Sequence, residues 1–146
     1  MIKVLIVEDD LMIADMAEEL LVREGYDVCG IARTVDEAVR LARCHNPDLA
    51  LLDLRLADGG LGTSVAAQLV PFGKLGILYA TGNMSQLPLT AIDGHGCLSK
   101  PYRPDDLLRG LELVTQLAAT GKSALPFPKG FHVLPSAHPL ATALAV

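Results

Sequence analysis

Leu49-Ala50-Leu51-Leu52 is an unbroken apolar run, and Asp53 closes it. A run of that length without polar alternation predicts a strand buried on both faces, as in parallel sheets covered by helices. In an open sheet of that kind, ligands bind in the crevice beyond the carboxyl ends of the strands. A carboxylate at that point is a candidate site residue. Its other reading is a helix cap or loop turn, roles for which Asp is also suited.

The remainder of the chain supplies four more strands and the segments between them. Ile2 to Val7 is apolar apart from Lys3 and ends at Glu8-Asp9-Asp10. A helix is expected from there to about Glu24, with Ile13, Met16, Ala17, Leu20 and Leu21 at helical spacing and Gly25 closing it. Asp27 to Ala32 is the second strand. Thr34-Val35-Asp36-Glu37 is a capping box, followed by a stripe of Ala38, Leu41 and Ala42. Asn46-Pro47 breaks that helix before the third strand. Ala57 to Gly62 is a flexible turn opening a helix through Val65, Ala66 and Leu69, which ends near Pro71-Phe72-Gly73. Leu75 to Ala80 is the fourth strand, Ser85 to Asp93 a helix that contains Pro88, and Gly96 to Ser99 a short fifth strand. Pro104-Asp105-Asp106 starts an amphipathic helix through Leu107, Leu111, Val114 and Ala118.

Five strands alternating with five helices predict an α/β fold with a doubly wound parallel sheet. Right-handed crossovers and the order 2-1-3-4-5 are the usual solution. That order sets the ends of strands 1 and 3 side by side. Glu8, Asp9 and Asp53 then converge, with Thr81 and Lys100 flanking them from strands 4 and 5.

The 146 residues suffice for one domain with a sizeable core. A net charge of −5 argues against a nucleic-acid surface, which needs a basic face. Cys29, Cys44 and Cys97 match no metal or redox spacing and suit a reducing compartment. The start of the chain does not read as a signal peptide, and no apolar run approaches the ~18 residues that span a membrane. The expectation is a soluble cytoplasmic protein.

Three clustered carboxylates with no compensating Arg or His nearby repel one another unless a cation joins them. Hard oxygen ligands with open positions suit Mg²⁺, which bridges to phosphate oxygens. A carboxylate can also act as a nucleophile toward phosphorus. Lys100 then offers an ammonium and Thr81 a hydroxyl to the arriving phosphoryl oxygens. Taken singly, Glu8-Asp9-Asp10 reads equally well as a solvated acidic turn, and Thr81 and Lys100 read better as a strand-end cap and a solvated lysine; the combination is what carries specificity.

Val4-Leu5-Ile6-Val7-Glu8-Asp9-Asp10, Leu51-Leu52-Asp53-Leu54, Ala80-Thr81-Gly82 and Leu98-Ser99-Lys100-Pro101 resemble the motifs of response-regulator receiver domains, the CheY-like phosphoacceptors of two-component signalling. The resemblance covers about residues 1 to 120. It implies that Asp53 is phosphorylated and that Asp9 ligates Mg²⁺ directly. Glu8 acts on the metal through water, and the Arg55 backbone carbonyl completes the protein ligands. Thr81 and Lys100 contact the phosphoryl group, and Lys100-Pro101 is a cis peptide. The implied partners are a histidine kinase or phosphotransfer protein and a downstream protein. The resemblance implies a signalling protein that assists its own phosphorylation and dephosphorylation rather than an enzyme.

Three departures from the family pattern matter. Cys97 stands where the family usually carries the aromatic that reports phosphorylation. Tyr79, two residues before Thr81 and on the same side of its strand, is the candidate replacement, against a reading as ordinary strand packing. Tyr79-Ala80-Thr81-Gly82 also resembles the aromatic-Ala-Thr-Gly motif of some stand-alone receivers of alphaproteobacteria. Ala57 replaces a usual proline, which is expected to loosen the turn after Asp53. The stretch from Thr81 to Lys100 is about one helical turn short, so its helix is expected to be short or irregular. That helix, the fifth strand and the last helix form the family's usual output face. Arg55 and Asn83, two residues after Asp53 and Thr81, occupy positions that tune the lifetime of the acyl phosphate in this family; a solvated arginine is the other reading of Arg55.

From Gly121 to Val146 the composition turns Pro- and Ala-rich, without helical period and too short for an output domain. The bland reading is a disordered end; its apolar character favours docking on the domain or on a second subunit, and a homodimer is one arrangement that would cover it. The leading expectation is a stand-alone phosphoacceptor switch. A phosphate sink or relay, an aspartate-nucleophile phosphatase, an FMN binder and a non-phosphorylated pseudo-receiver are the alternatives. Arg55 stands where the phosphatase needs a second acid, and Glu8-Asp9-Asp10 would repel the phosphate of FMN.

Overall fold

All five apolar runs form strands: β1 (Lys3–Val7), β2 (Asp27–Ala32), β3 (Leu49–Asp53), β4 (Gly76–Thr81) and β5 (Gly96–Ser99). The computed structural model describes residues 1–82 and 88–135, with Phe72 through its backbone alone. The five strands are parallel in the order β2-β1-β3-β4-β5, and a sixth, β6 (Phe131–Val133), runs antiparallel on the outer side of β5. Four α-helices are present among the described residues: α1 (Leu11–Arg23), α2 (Val35–His45), α3 (Gly62–Leu69) and α4 (Pro104–Thr120).

Strand alternation sends side chains to two cores. Leu5, Val7, Ala50, Leu52, Ile77 and Tyr79 pack against α2 and α3, while Val4, Ile6, Leu49, Leu51, Leu78 and Leu98 pack against α1 and α4. Each fully buried Leu, Ile or Val contributes roughly 1.5–3 kcal/mol of transfer free energy, so the sheet is held from both sides. Helix ends follow the sequence signals. The Asp10 carboxylate accepts the N–H groups of Met12 and Ile13, Thr34 Oγ1 accepts that of Glu37, and Asn46 closes α2 in the left-handed region.

One expectation is corrected, that of a helix between β4 and β5. The helix expected over Ser85 to Asp93 begins outside the described residues, and its described part, 88–93, is not helical. Pro88 has no N–H to give a helix. Farther along, the donors go elsewhere: Thr90 N–H to the Asp93 carboxylate and Ala91 N–H to the Pro135 carbonyl. The segment after Gly121, read from the sequence as having no helical period, contributes β6. Phe131 is buried against Gly96, Gly110 and Leu78. The apolar stretch Pro139 to Val146 lies outside the described residues.

Candidate functional site

Parallel register carries the polar residues to one end of the sheet. Val7 stands opposite Leu52, so the residues that follow, Glu8 and Asp53, emerge side by side. Asp53 faces Ala80, and Thr81 faces Ser99. The Lys100 N–H donates to the Thr81 carbonyl at 2.8 Å, fixing the end of β5 to the end of β4. The Lys100–Pro101 peptide is cis, as expected.

Carboxylate oxygens of Glu8, Asp9 and Asp53 lie within 4.8 Å of one another. Lys100 Nζ is 2.5 Å from Glu8 Oε1 and 3.6 Å from Asp53 Oδ2, so one ammonium is shared by two carboxylates. Burial raises the Glu8 pKa, and the Lys100 hydrogen bond works against that rise. Burial also disfavours the charged form of Lys100, but the Glu8 and Asp53 carboxylates outweigh it and hold the ammonium above its usual range. Three carboxylates against one ammonium leave an excess of negative charge on hard oxygen donors at an open sheet end. Those donors fit a divalent cation such as Mg²⁺. Thr81, also buried, comes to the same end from β4. Tyr102 feels the charges of Lys100, Glu8 and Asp53, and burial raises its phenol pKa.

Several contributors lay outside the sequence expectation. Arg33, just after β2, donates from Nε to the Asp9 carbonyl at 3.3 Å, so an arginine does stand beside the acidic cluster. Its own carbonyl accepts the Ala57 N–H at 3.0 Å. The turn after Asp53 is therefore tied down rather than loosened at Ala57, through a donor that proline lacks. Gly62 is the second omission. A Cβ there would stand 2.1 Å from the Asp53 carbonyl oxygen, because the start of α3 folds back against β3 with Gly62 N–H on the Leu54 carbonyl at 2.9 Å. Gly59, Gly60 and Gly62 cluster in the sequence, and nothing in that pattern singles out Gly62.

Arg55 is exposed and pairs through its backbone with Leu61, while Asn83 lies outside the described residues. Tyr79 is fully buried and its hydroxyl donates to the Asp93 carbonyl at 2.7 Å. It stands directly opposite Cys97 on the face covered by α2 and α3. Burial pushes the Cys97 thiol up to about 11, so this cysteine serves as a small apolar neighbour for the ring.

Comparison with known proteins points to one family. The response regulator receiver domain family model matches residues 4–123. The transcriptional regulatory protein PdtaR of Mycobacterium tuberculosis is 32% identical over 114 residues, which are 76% of this chain and 55% of that protein. The phyllosphere-induced regulator PhyR of Methylorubrum extorquens is 36% identical over 80 residues, 54% of this chain and 30% of that protein. The chain thus spans about half or less of these curated relatives. Among solved structures, a CheY-like receiver domain protein from Methanospirillum hungatei superposes with a TM-score of 0.69 at 29% identity, over 84% of this chain and 99% of the other. A mutant of the anti-anti-sigma factor PhyR from Bartonella quintana gives 0.62 at 27% identity, over 80% of this chain and 46% of the other.

Proposed function

The chain belongs to the response regulator receiver domain family, and from that premise we propose that it is a phosphoacceptor switch with Asp53 as the acceptor. The observation that carries the reading is the convergence of Glu8, Asp9 and Asp53 within 4.8 Å, with Lys100 Nζ 3.6 Å from an Asp53 oxygen. A histidine kinase or phosphotransfer protein is the donor. An Asp53 carboxylate oxygen attacks phosphorus, the bond from phosphorus to the donor atom breaks, and the donor leaves with that electron pair. The product is an acyl phosphate on Asp53. Charge spreads over the phosphoryl oxygens in such a transfer, so fixed positive groups and donors lower the barrier most. Lys100 and Thr81 provide them here. Bound by Asp9, Asp53, the Arg55 carbonyl and, through water, Glu8, Mg²⁺ would supply charge neutralisation for the transferring group. Arg55 and Asn83 shape the access of water to the product and so its lifetime.

Output is by protein–protein contact. Tyr79 takes over the role of the reporting aromatic, supported by its place opposite the small Cys97 and two residues from Thr81. Tyr79→Ala is expected to retain phosphorylation and to lose phosphorylation-dependent binding of a partner protein. Similarity to PhyR proteins, one of them described as an anti-anti-sigma factor, supports a protein partner.

Intact-mass measurement after incubation with acetyl phosphate and Mg²⁺ tests the acceptor. Wild type is expected to gain one phosphoryl group, and Asp53→Asn none. If neither acetyl phosphate nor a purified cognate histidine kinase adds the group, a non-phosphorylated interaction module replaces this reading.

A further inference from the structure

β5 is the last strand of the parallel sheet, and the chain's own residues fill its outer side. After α4 ends at Gly121, the chain turns back along that helix. The Arg109 guanidinium donates to the carbonyls of Ala124 and Pro126 at 3.1 and 3.3 Å, and Gln116 Oε1 accepts the Ala124 N–H at 2.8 Å. β6 then lies antiparallel on β5, with Leu98 opposite Phe131 and Gly96 opposite Val133. Its hold runs from Gly130 to Pro135: Ser99 N–H donates to the Gly130 carbonyl, Leu134 N–H to the His95 carbonyl and Ala91 N–H to the Pro135 carbonyl, with Phe131 and Leu134 buried and His132 and Val133 exposed.

The slot under Phe131 is shaped for a ring. A Cβ on Gly96 would stand 2.8 Å from Phe131 Cε2, and one on Gly110 3.6 Å from Phe131 Cδ2. Gly96 on β5 thus leaves the space that the aromatic occupies, while Gly110 on α4 faces the ring at ordinary contact distance. Phe127 meets the same ring edge to face, with centroids 5.4 Å apart. A strand edge beside an aromatic slot has the two parts of a strand-addition site, backbone pairing for affinity and a pocket for specificity.

We propose that the outer edge of β5 is a docking site for an extended protein segment bearing an aromatic side chain, with Phe131–Val133 as the resident occupant that such a partner displaces. The edge is wired to the crevice through Ser99. Its N–H donates to the Gly130 carbonyl at 3.0 Å, and the next residue, Lys100, is held to Thr81. On the phosphoacceptor reading, on which this coupling rests, drawing Lys100 toward a phosphoryl group pulls Ser99 from Gly130 and loosens the resident strand.

The test uses the full chain and a fluorescein-labelled synthetic peptide with the sequence of residues 128–135. Phe131→Ala empties the slot; His132→Pro takes a donor out of the strand with the core ring kept, and serves if the first variant fails to fold. Fluorescence anisotropy is expected to show the peptide binding either folded variant about tenfold or more tightly than wild type. The peptide carrying the same Phe131→Ala change is expected not to bind. A folded variant that ignores the peptide overturns the proposal, as does one that dimerises and leaves the peptide free. In a second arm, wild type treated with acetyl phosphate and Mg²⁺ is followed by mass and anisotropy together, with tighter peptide binding expected in the phosphorylated sample. A mass gain with unchanged affinity overturns the coupling. No mass gain overturns the phosphoacceptor reading and with it the coupling, while the variant arm still decides the docking edge.

Discussion

Gly62 and Lys100 show how single residues shape the crevice by opposite means, one by lacking a side chain and one by sharing it. A methyl group at position 62 would meet backbone, the Asp53 carbonyl at 2.1 Å, which cannot swing aside as a flexible side chain would. Gly62→Ala is therefore expected to lower stability by about 1–3 kcal/mol, the range of overpacked sites, and to shift the turn after Asp53. Urea unfolding reads the first effect and acetyl phosphate labelling of Asp53 the second; an unchanged midpoint would contradict the close approach. Lys100→Met keeps length and removes the charge. Loss of a single positioned donor to a developing anion typically costs on the order of a hundredfold in rate, and phosphorylation of this variant by acetyl phosphate is expected to slow by about that factor. Rates within a few-fold of wild type would take Lys100 out of the phosphoryl contact. Glu8, Asp9, Asp53, Thr81 and Lys100 were legible as single letters at strand ends. Arg33 was not, because its bond to the Asp9 carbonyl depends on how β2 lies beside β1.

Among the described elements, residues 88–93, between β4 and β5, depart most from the helical alternation, and His95 is where the chain rejoins the sheet. His95 N–H donates to the Ile77 carbonyl, its Nδ1 accepts the Ile77 N–H at 3.0 Å, and its carbonyl accepts the Leu134 N–H. His95 thus ties β4, β5 and the β6 segment together, and only an unprotonated Nδ1 can accept. Burial lowers its pKa below the ordinary value of about 6.5. The unfolded chain then binds the proton more readily, so stability is full above about pH 6.5 and falls as pH drops from there through the folded value. Urea midpoints at pH 7.5 and pH 5 are expected to differ more for wild type than for His95→Gln. Equal losses in both would assign the pH dependence to other groups. The strands were readable from their apolar runs, because burial on both faces demands such runs. β6 was not, since Phe131-His132-Val133 is too short a pattern to distinguish from coil until β5 offers it an edge.

At the scale of the whole molecule, the acidic crevice sits on a chain with a net charge of −5, and no described helix is long and apolar enough to cross a membrane. A cation that joins the three carboxylates binds the folded chain and not the dispersed residues of the unfolded one. By mass action, Mg²⁺ at ten times its dissociation constant is expected to add about 1.4 kcal/mol of stability. Differential scanning fluorimetry is expected to show a rise in Tm with Mg²⁺ that is lost in Asp9→Asn. An equal rise in the variant would move the cation away from this cluster.

By itself the sequence determined the five parallel strands with their order, the four amphipathic helices and the residues at the strand ends. These follow from local periodicity and from the general rules of parallel connections. Only the tertiary structure decided the rest. Lys100 is shared between Glu8 and Asp53, Ala57 is tied to Arg33, Ala91 N–H goes to the Pro135 carbonyl, and Phe131 packs over Gly96. Each of these joins residues distant in the chain or gives a backbone donor a non-helical partner, and local pattern carries no information about either.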